Sequence, residues 1–211
     1  HVKPVRQKWF GVACCPPNVG RTLASLGQYI YAGDEDGVYI NQFISSTADT
    51  EVRESRMKIK MDSTLLQDGK VQIEVQSSGP GNLNIRIPWY SEKCECVQNG
   101  ISIEIQTDKG YQRLSISPGD THISLDFHVI PRWMGANDAV RADAGKAALM
   151  KGPLVYCLEE KENGRYLSEI FIEENTSIEE TAPAEALVGN VPTLSYKGIR
   201  VRNKGAAGEN Q

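Results

Sequence analysis

The sequence predicts a mainly β protein, built as antiparallel β-sandwich domains preceded by one short helix. Three observations predict it. Apolar residues alternate with polar ones over short runs from residue 38 onward. Turn signals such as Asp68-Gly69, Asn99-Gly100 and Lys109-Gly110 recur about every ten residues. No helical pattern lies between those runs, which disfavours a parallel α/β architecture.

The elements follow in order. Residues 1–13 read as a connector in which Trp9 and Phe10 are apolar and buried. Pro16 and Pro17 are expected to hold Cys14 and Cys15 on extended backbone, because a residue before proline is pushed out of the helical region. Asn18 reads as the N-cap of a helix over 19–32, with Val19, Leu23, Leu26 and Ile30 on one face and Gly33 as the stop. Strands are expected over 38–44, 51–61, 71–76, 83–88, 94–97, 101–105, 111–116 and 122–130. A shorter second set runs over 139–143, 147–150, 154–158 and 170–172. The end, 203–211, has the composition of a disordered tail. These patterns divide the chain into residues 1–34, a β-sandwich over 35–133, and strands of a second, incomplete sandwich over 134–211.

The 211 residues carry a formal net charge of −4 and no dense basic run, which argues against a nucleic-acid partner. No apolar stretch approaches a membrane span, so no membrane role is expected. Five cysteines, two of them vicinal and two spaced C-x-C, do not form a disulfide framework. They suit a reducing, cytoplasmic setting.

Chemistry concentrates at Cys14-Cys15. Three readings stand side by side: two small buried hydrophobes, two thiolate ligands of a metal, or a thiolate nucleophile. The helix that follows brings partial positive charge close to both sulfurs, the setting in which reactive cysteines are found. A zinc site takes about four ligands, and the histidines, His1, His122 and His128, have no spacing that completes one. Cys94, Cys96 and Cys157 read as packing residues within strands. The doublets Glu159-Glu160, Glu173-Glu174 and Glu179-Glu180 read as solvated surface, because neighbours on a strand point to opposite faces.

Trp9-Phe10, then Ala13-Cys14-Cys15-Pro16-Pro17-Asn18, then residues 21–27 (RTLASLG) resemble the signature of the bacterial β-L-arabinofuranosidases, glycoside hydrolase family 127 and its relatives. The stretches 38–46, 83–88 and 151–159 resemble the same family. Lys151-Gly152-Pro153 stands where the family often shows Arg-Gly-Pro. The resemblance implies that the short helix is the tail of a catalytic (α/α)₆ barrel. It implies Cys14 as nucleophile and Cys14 and Cys15 as ligands of a Zn²⁺ ion. The remaining zinc ligands, a Glu and a Cys, and a Glu acid/base are implied upstream of His1. The sugar would be held on Cys14 as a thioglycoside, with retention of configuration. The implied substrate is an arabinofuranoside oligosaccharide or glycoconjugate, and the implied partner is the missing N-terminal helical barrel, with a homodimer as a further expectation. The chain on its own is then expected to be inactive. The competing expectation is a non-catalytic carbohydrate-binding or structural β-sandwich, with Trp89, Tyr90, Tyr111 and Trp133 as candidate aromatic platforms.

Overall fold

The computed structural model describes residues 11–173, 176–181 and 191–201. The expectations for His1, Trp9, Phe10, Glu174 and the tail at 203–211 lie outside the described residues.

The helix starts earlier than the sequence suggests. Helix α1 runs Cys15–Ala24, and Cys14 takes helical backbone angles (φ −67°, ψ −39°) as its N-cap. Pro16 and Pro17 occupy the first turn, where a missing N–H costs nothing because no intrahelical acceptor awaits it. The extended backbone expected at the thiols is therefore wrong. Asn18 is not the cap; it lies inside the helix, and its Nδ2 donates to the Cys14 carbonyl at 2.8 Å. The chain breaks at Ser25, whose hydroxyl donates to the Arg21 carbonyl at 2.9 Å. It resumes as α2 (Gly27–Ile30), so the single helix expected over 19–32 is two. Strands β1 (Tyr31–Gly33) and β2 (Val38–Ile40) follow as an antiparallel pair.

Strands β3 (Ser46–Val52) and β4 (Ser55–Ser63) form a hairpin where the sequence pattern predicts one strand over 51–61. The hairpin turns at Arg53, at φ 55°. Asp68-Gly69 is not a two-residue turn. A short helix α3 (Leu65–Asp68) ends on Gly69 in the left-handed region (φ 81°) and leads to β5 (Lys70–Ser77). Then come β6 (Gly81–Arg86), β7 (Glu95–Gln98), β8 (Ile101–Ile103), β9 (Thr107–Asp108), β10 (Tyr111–Ile116) and β11 (Gly119–Asp126). Asn99-Gly100 and Lys109-Gly110 all have positive φ, which is what two-residue hairpin turns require.

These strands make a five-stranded sheet, β1-β2-β6-β10-β9, and a six-stranded sheet, β3-β4-β5-β11-β7-β8. Strict alternation along β4 and β5 turns Met57, Ile59, Met61, Val71, Ile73 and Val75 inward, each 2% exposed or less. Val38, Ile40, Leu83, Ile85 and Leu114 of the other sheet are equally buried. The sheets meet closely at Gly81, where an added Cβ would lie 2.1 Å from the Met57 Cε. One pairing departs from the antiparallel expectation: β2 runs parallel to β6. The long intervening chain, which builds part of the other sheet, supplies the crossover a parallel pair needs.

The chain divides into two compact units. The first gathers the described residues through Ser63 with Gln72–Ile87 and Cys96–Ser124. The second holds Thr64–Val71, Pro88–Glu95 and the described residues from Leu125 onward. Within the second, β12 (Pro131–Gly135), β13 (Ala147–Lys151) and β14 (Leu154–Tyr156) form a three-stranded sheet. Residues 139–143, expected as a strand, instead end in a 3₁₀ turn at Arg141–Asp143. Strand β15 (Ile170–Phe171) pairs with β18 (Ile199–Arg200), and β16 (Ile178–Thr181) pairs with β17 (Thr193–Tyr196). No helix among the described residues is long and apolar enough to cross a membrane.

Candidate functional site

Cys14 and Cys15 stand at the start of α1 with both side chains exposed and their sulfurs 3.7 Å apart. The backbone beneath them is fixed from two directions. Pro16 and Pro17 restrict φ in the first turn. Asn18 holds the Cys14 carbonyl and is itself held by Arg21, whose Nε and Nη2 donate to its Oδ1 at 3.4 and 3.2 Å. The helix buries none of its residues: Val19 and Leu23 are 59% and 68% exposed.

Among the described residues the structure brings no further ligand to the pair. Among the described residues no three His, Cys, Asp or Glu side chains are grouped to hold a metal. His122 is exposed on β11. His128 points its Nε2 at the Glu95 carboxylate, 3.3 Å away. Cys96 is buried, and desolvation pushes its thiol up to about 11, so it stays protonated and acts as a packing residue. Cys94, just ahead of β7, is only part-buried. Cys157, expected in the core, is exposed, because it lies just past the end of the edge strand β14.

The carboxylate doublets are exposed where described, yet Glu180 does more than face solvent. It reaches the ammonium of Lys151, a side chain only 4% exposed, which also donates to the Gln67 carbonyl at 2.8 Å. Nothing in the local pattern marks Lys151 as inward-facing except the alternation of β13. Of the four candidate aromatics, Trp89 is 61% exposed, with the Arg132 guanidinium 4.9 Å from its ring centre. Tyr111 is turned in, donating to Asn41 Oδ1 at 2.7 Å. Trp133 donates to the Thr176 carbonyl and packs edge-on against Tyr196.

Two sequence profiles match the chain in succession. The β-L-arabinofuranosidase GH127 middle domain matches residues 37–129, and the glycoside hydrolase family 127 C-terminal domain matches residues 131–204. The chain belongs to glycoside hydrolase family 127. A curated family relative, the non-reducing end β-L-arabinofuranosidase of Bifidobacterium longum subsp. longum, is 32% identical over 95% of this chain. A solved GH127 β-L-arabinofuranosidase from Geobacillus stearothermophilus T6 superposes on the whole chain with a TM-score of 0.89 at 34% identity. A solved GH127 β-arabinofuranosidase superposes on 92% of it with a TM-score of 0.83 at 26% identity. The chain spans about a third of the length of these relatives: 32%, 34% and 33% respectively.

Proposed function

We propose that the whole protein to which this chain belongs is a β-L-arabinofuranosidase in which Cys14 is the nucleophile and Cys14 and Cys15 are two ligands of one zinc ion. The observation that carries the reading is the pair of exposed sulfurs at the start of α1, 3.7 Å apart. Two sulfurs each about 2.3 Å from one tetrahedral zinc stand roughly 3.8 Å from each other. The donor set therefore fits such an ion without rearrangement. When bound, zinc supplies a centre that keeps both sulfurs as thiolates.

The chain's own residues then divide the work. Cys14 Sγ attacks the anomeric carbon, forming a C–S bond as the glycosidic C–O bond breaks. The departing oxygen would take its proton from a carboxylic acid outside this chain, the upstream Glu that the resemblance implies. Water then cleaves the C–S bond while that same carboxylate removes its proton, and two inversions give retention. Asn18 holds the Cys14 carbonyl and Arg21 holds Asn18, which together fix where the sulfur starts. The exposed Val19 and Leu23 suit packing against upstream helices of the longer protein.

The test joins this chain to its upstream region and assays an aryl β-L-arabinofuranoside. Cys14→Ser should lower turnover by at least about a thousandfold. Cys15→Ser should lower the zinc content of the joined protein as well as its activity. The 211-residue chain alone should give no turnover. Turnover that survives Cys14→Ser, or turnover by the chain alone, overturns the reading.

A further inference from the structure

The outer side of the six-stranded sheet holds a hollow of about 810 Å³, lined by β3, β4, β5 and β11. That volume falls within the range of small-ligand sites. Its floor is rigid, because the alternate residues Met57, Ile59, Ile73, Val75 and Ile123 are core. Its wall positions are polar: Asp49 faces Lys58 across β3 and β4, and Thr47 faces Lys60.

Two features select the ligand. The first is charge. The lining cations Lys58 and Lys60 stand among the carboxylates Asp49, Glu74 and Asp120, and Asp62 takes the Lys60 ammonium at 2.9 Å, so no excess of positive charge is left to reward an anion such as phosphate. The second is unspent hydrogen-bonding capacity. Asp49 is taken by Arg56 at 2.8 and 2.7 Å. Among the described residues Glu74 meets only the Lys60 ammonium, at 3.7 Å, and Asp120 only the Gln76 amide, at 3.3 Å. Among the described residues no hydrogen bond engages the Lys58 ammonium or the His122 ring. A concave surface dense in donors and acceptors, with no excess of cations, matches an uncharged polyhydroxyl compound.

We propose that this hollow is a non-catalytic subsite for a short neutral oligosaccharide. Glu74 and Asp120 accept from sugar hydroxyls, while Lys58 and the His122 ring donate to sugar oxygens. The choice of an arabinofuranoside as the sugar rests on the function proposed above. No Phe, Tyr or Trp lines the hollow to stack on a sugar ring, so hydrogen bonds carry the binding and it is weak.

The test titrates the 211-residue chain with a β-L-arabinofuranosyl disaccharide and follows backbone amides and the His122 ring by NMR. Xylotriose and inorganic phosphate serve as comparison probes. The expected result is saturable shifts on β4, β5 and β11, with affinity at least tenfold weaker in the Glu74→Gln/Asp120→Asn double variant and unchanged in Trp89→Ala. The double variant should keep the amide spectrum of the core. If xylotriose binds with the same loss and the arabinofuranoside does not, the hollow stands as a sugar site and the arabinofuranoside reading fails. The hollow is refuted if neither sugar gives saturable shifts, if the shifts centre on Trp89, if phosphate binds more tightly than either sugar, or if the double variant binds as well as the wild type. An inactive joined enzyme alongside a hollow that binds sugar counts against the catalytic reading alone.

Discussion

Replacing Glu180 by alanine tests the buried end of β13. The Lys151 side chain is 4% exposed, and its ammonium is held by Glu180 and by the Gln67 carbonyl. Glu180 is 38% exposed. The two partners therefore have unequal alternatives. Without Glu180, the ammonium keeps one carbonyl acceptor and no counter-charge. A buried charge left unpaired costs about 3–5 kcal/mol. Lys151→Met keeps most of the stem's volume, and Glu180 turns to the water it already touches. What remains is an unpaired Gln67 carbonyl, costing about 1–3 kcal/mol. Glu180→Ala should thus destabilise more than Lys151→Met by about 2 kcal/mol, and the double variant should lie close to Lys151→Met. Urea unfolding followed by tryptophan fluorescence reads this difference, since Trp89 and Trp133 both lie in the second unit. If Lys151→Met costs as much as Glu180→Ala, or if the double variant costs the sum of the two, the reasoning is wrong.

Cys96 should resist a thiol reagent at pH 8 while Cys14, Cys15 and Cys157 react, and it should become reactive on unfolding. Because its thiol is raised from 9.0 to about 11 in the folded chain, the unfolded thiol ionises first as pH rises. Stability should fall by roughly 2–3 kcal/mol between those values, and Cys96→Ala should remove that slope. A slope unchanged by the substitution refutes the account. Gly37→Ala should lower the urea midpoint by the equivalent of about 1–3 kcal/mol with the slope m unchanged, because its Cβ would lie 2.4 Å from the Asn82 carbonyl oxygen, a backbone atom. An unaltered midpoint shows that the two strands separate more easily than their packing indicates.

Local signals were legible where one physical cause acts alone. The alternation of residues 70–77 gives a strand because one face is core and the other is water. Asn99-Gly100 gives a hairpin because both residues tolerate positive φ. The helix start was misread because proline acts oppositely in two places: it expels a preceding residue from helical backbone, yet it fits the first turn. Strands β16, β17 and β18 were missed because their residues are polar or widely separated, and their pairing depends on partners far along the chain. Cys157 was misplaced because strand alternation says nothing of whether a sheet edge is covered. At the candidate site, the sequence shows two sulfurs, and their separation became legible only through the folded turn that carries them.

The parallel pairing of β2 with β6 has a consequence for the order of events in folding. The hairpin of β3 and β4 closes a loop of a few residues, whereas Val38 meets Leu83 only after 44 intervening residues have been gathered in. Closing the longer loop costs more entropy and comes later. The segment carrying α1 reaches the sandwich through β1 and β2, so it is anchored only when that late contact forms. Within this chain the two sulfurs are then among the last groups to acquire a fixed place relative to the β-sandwich.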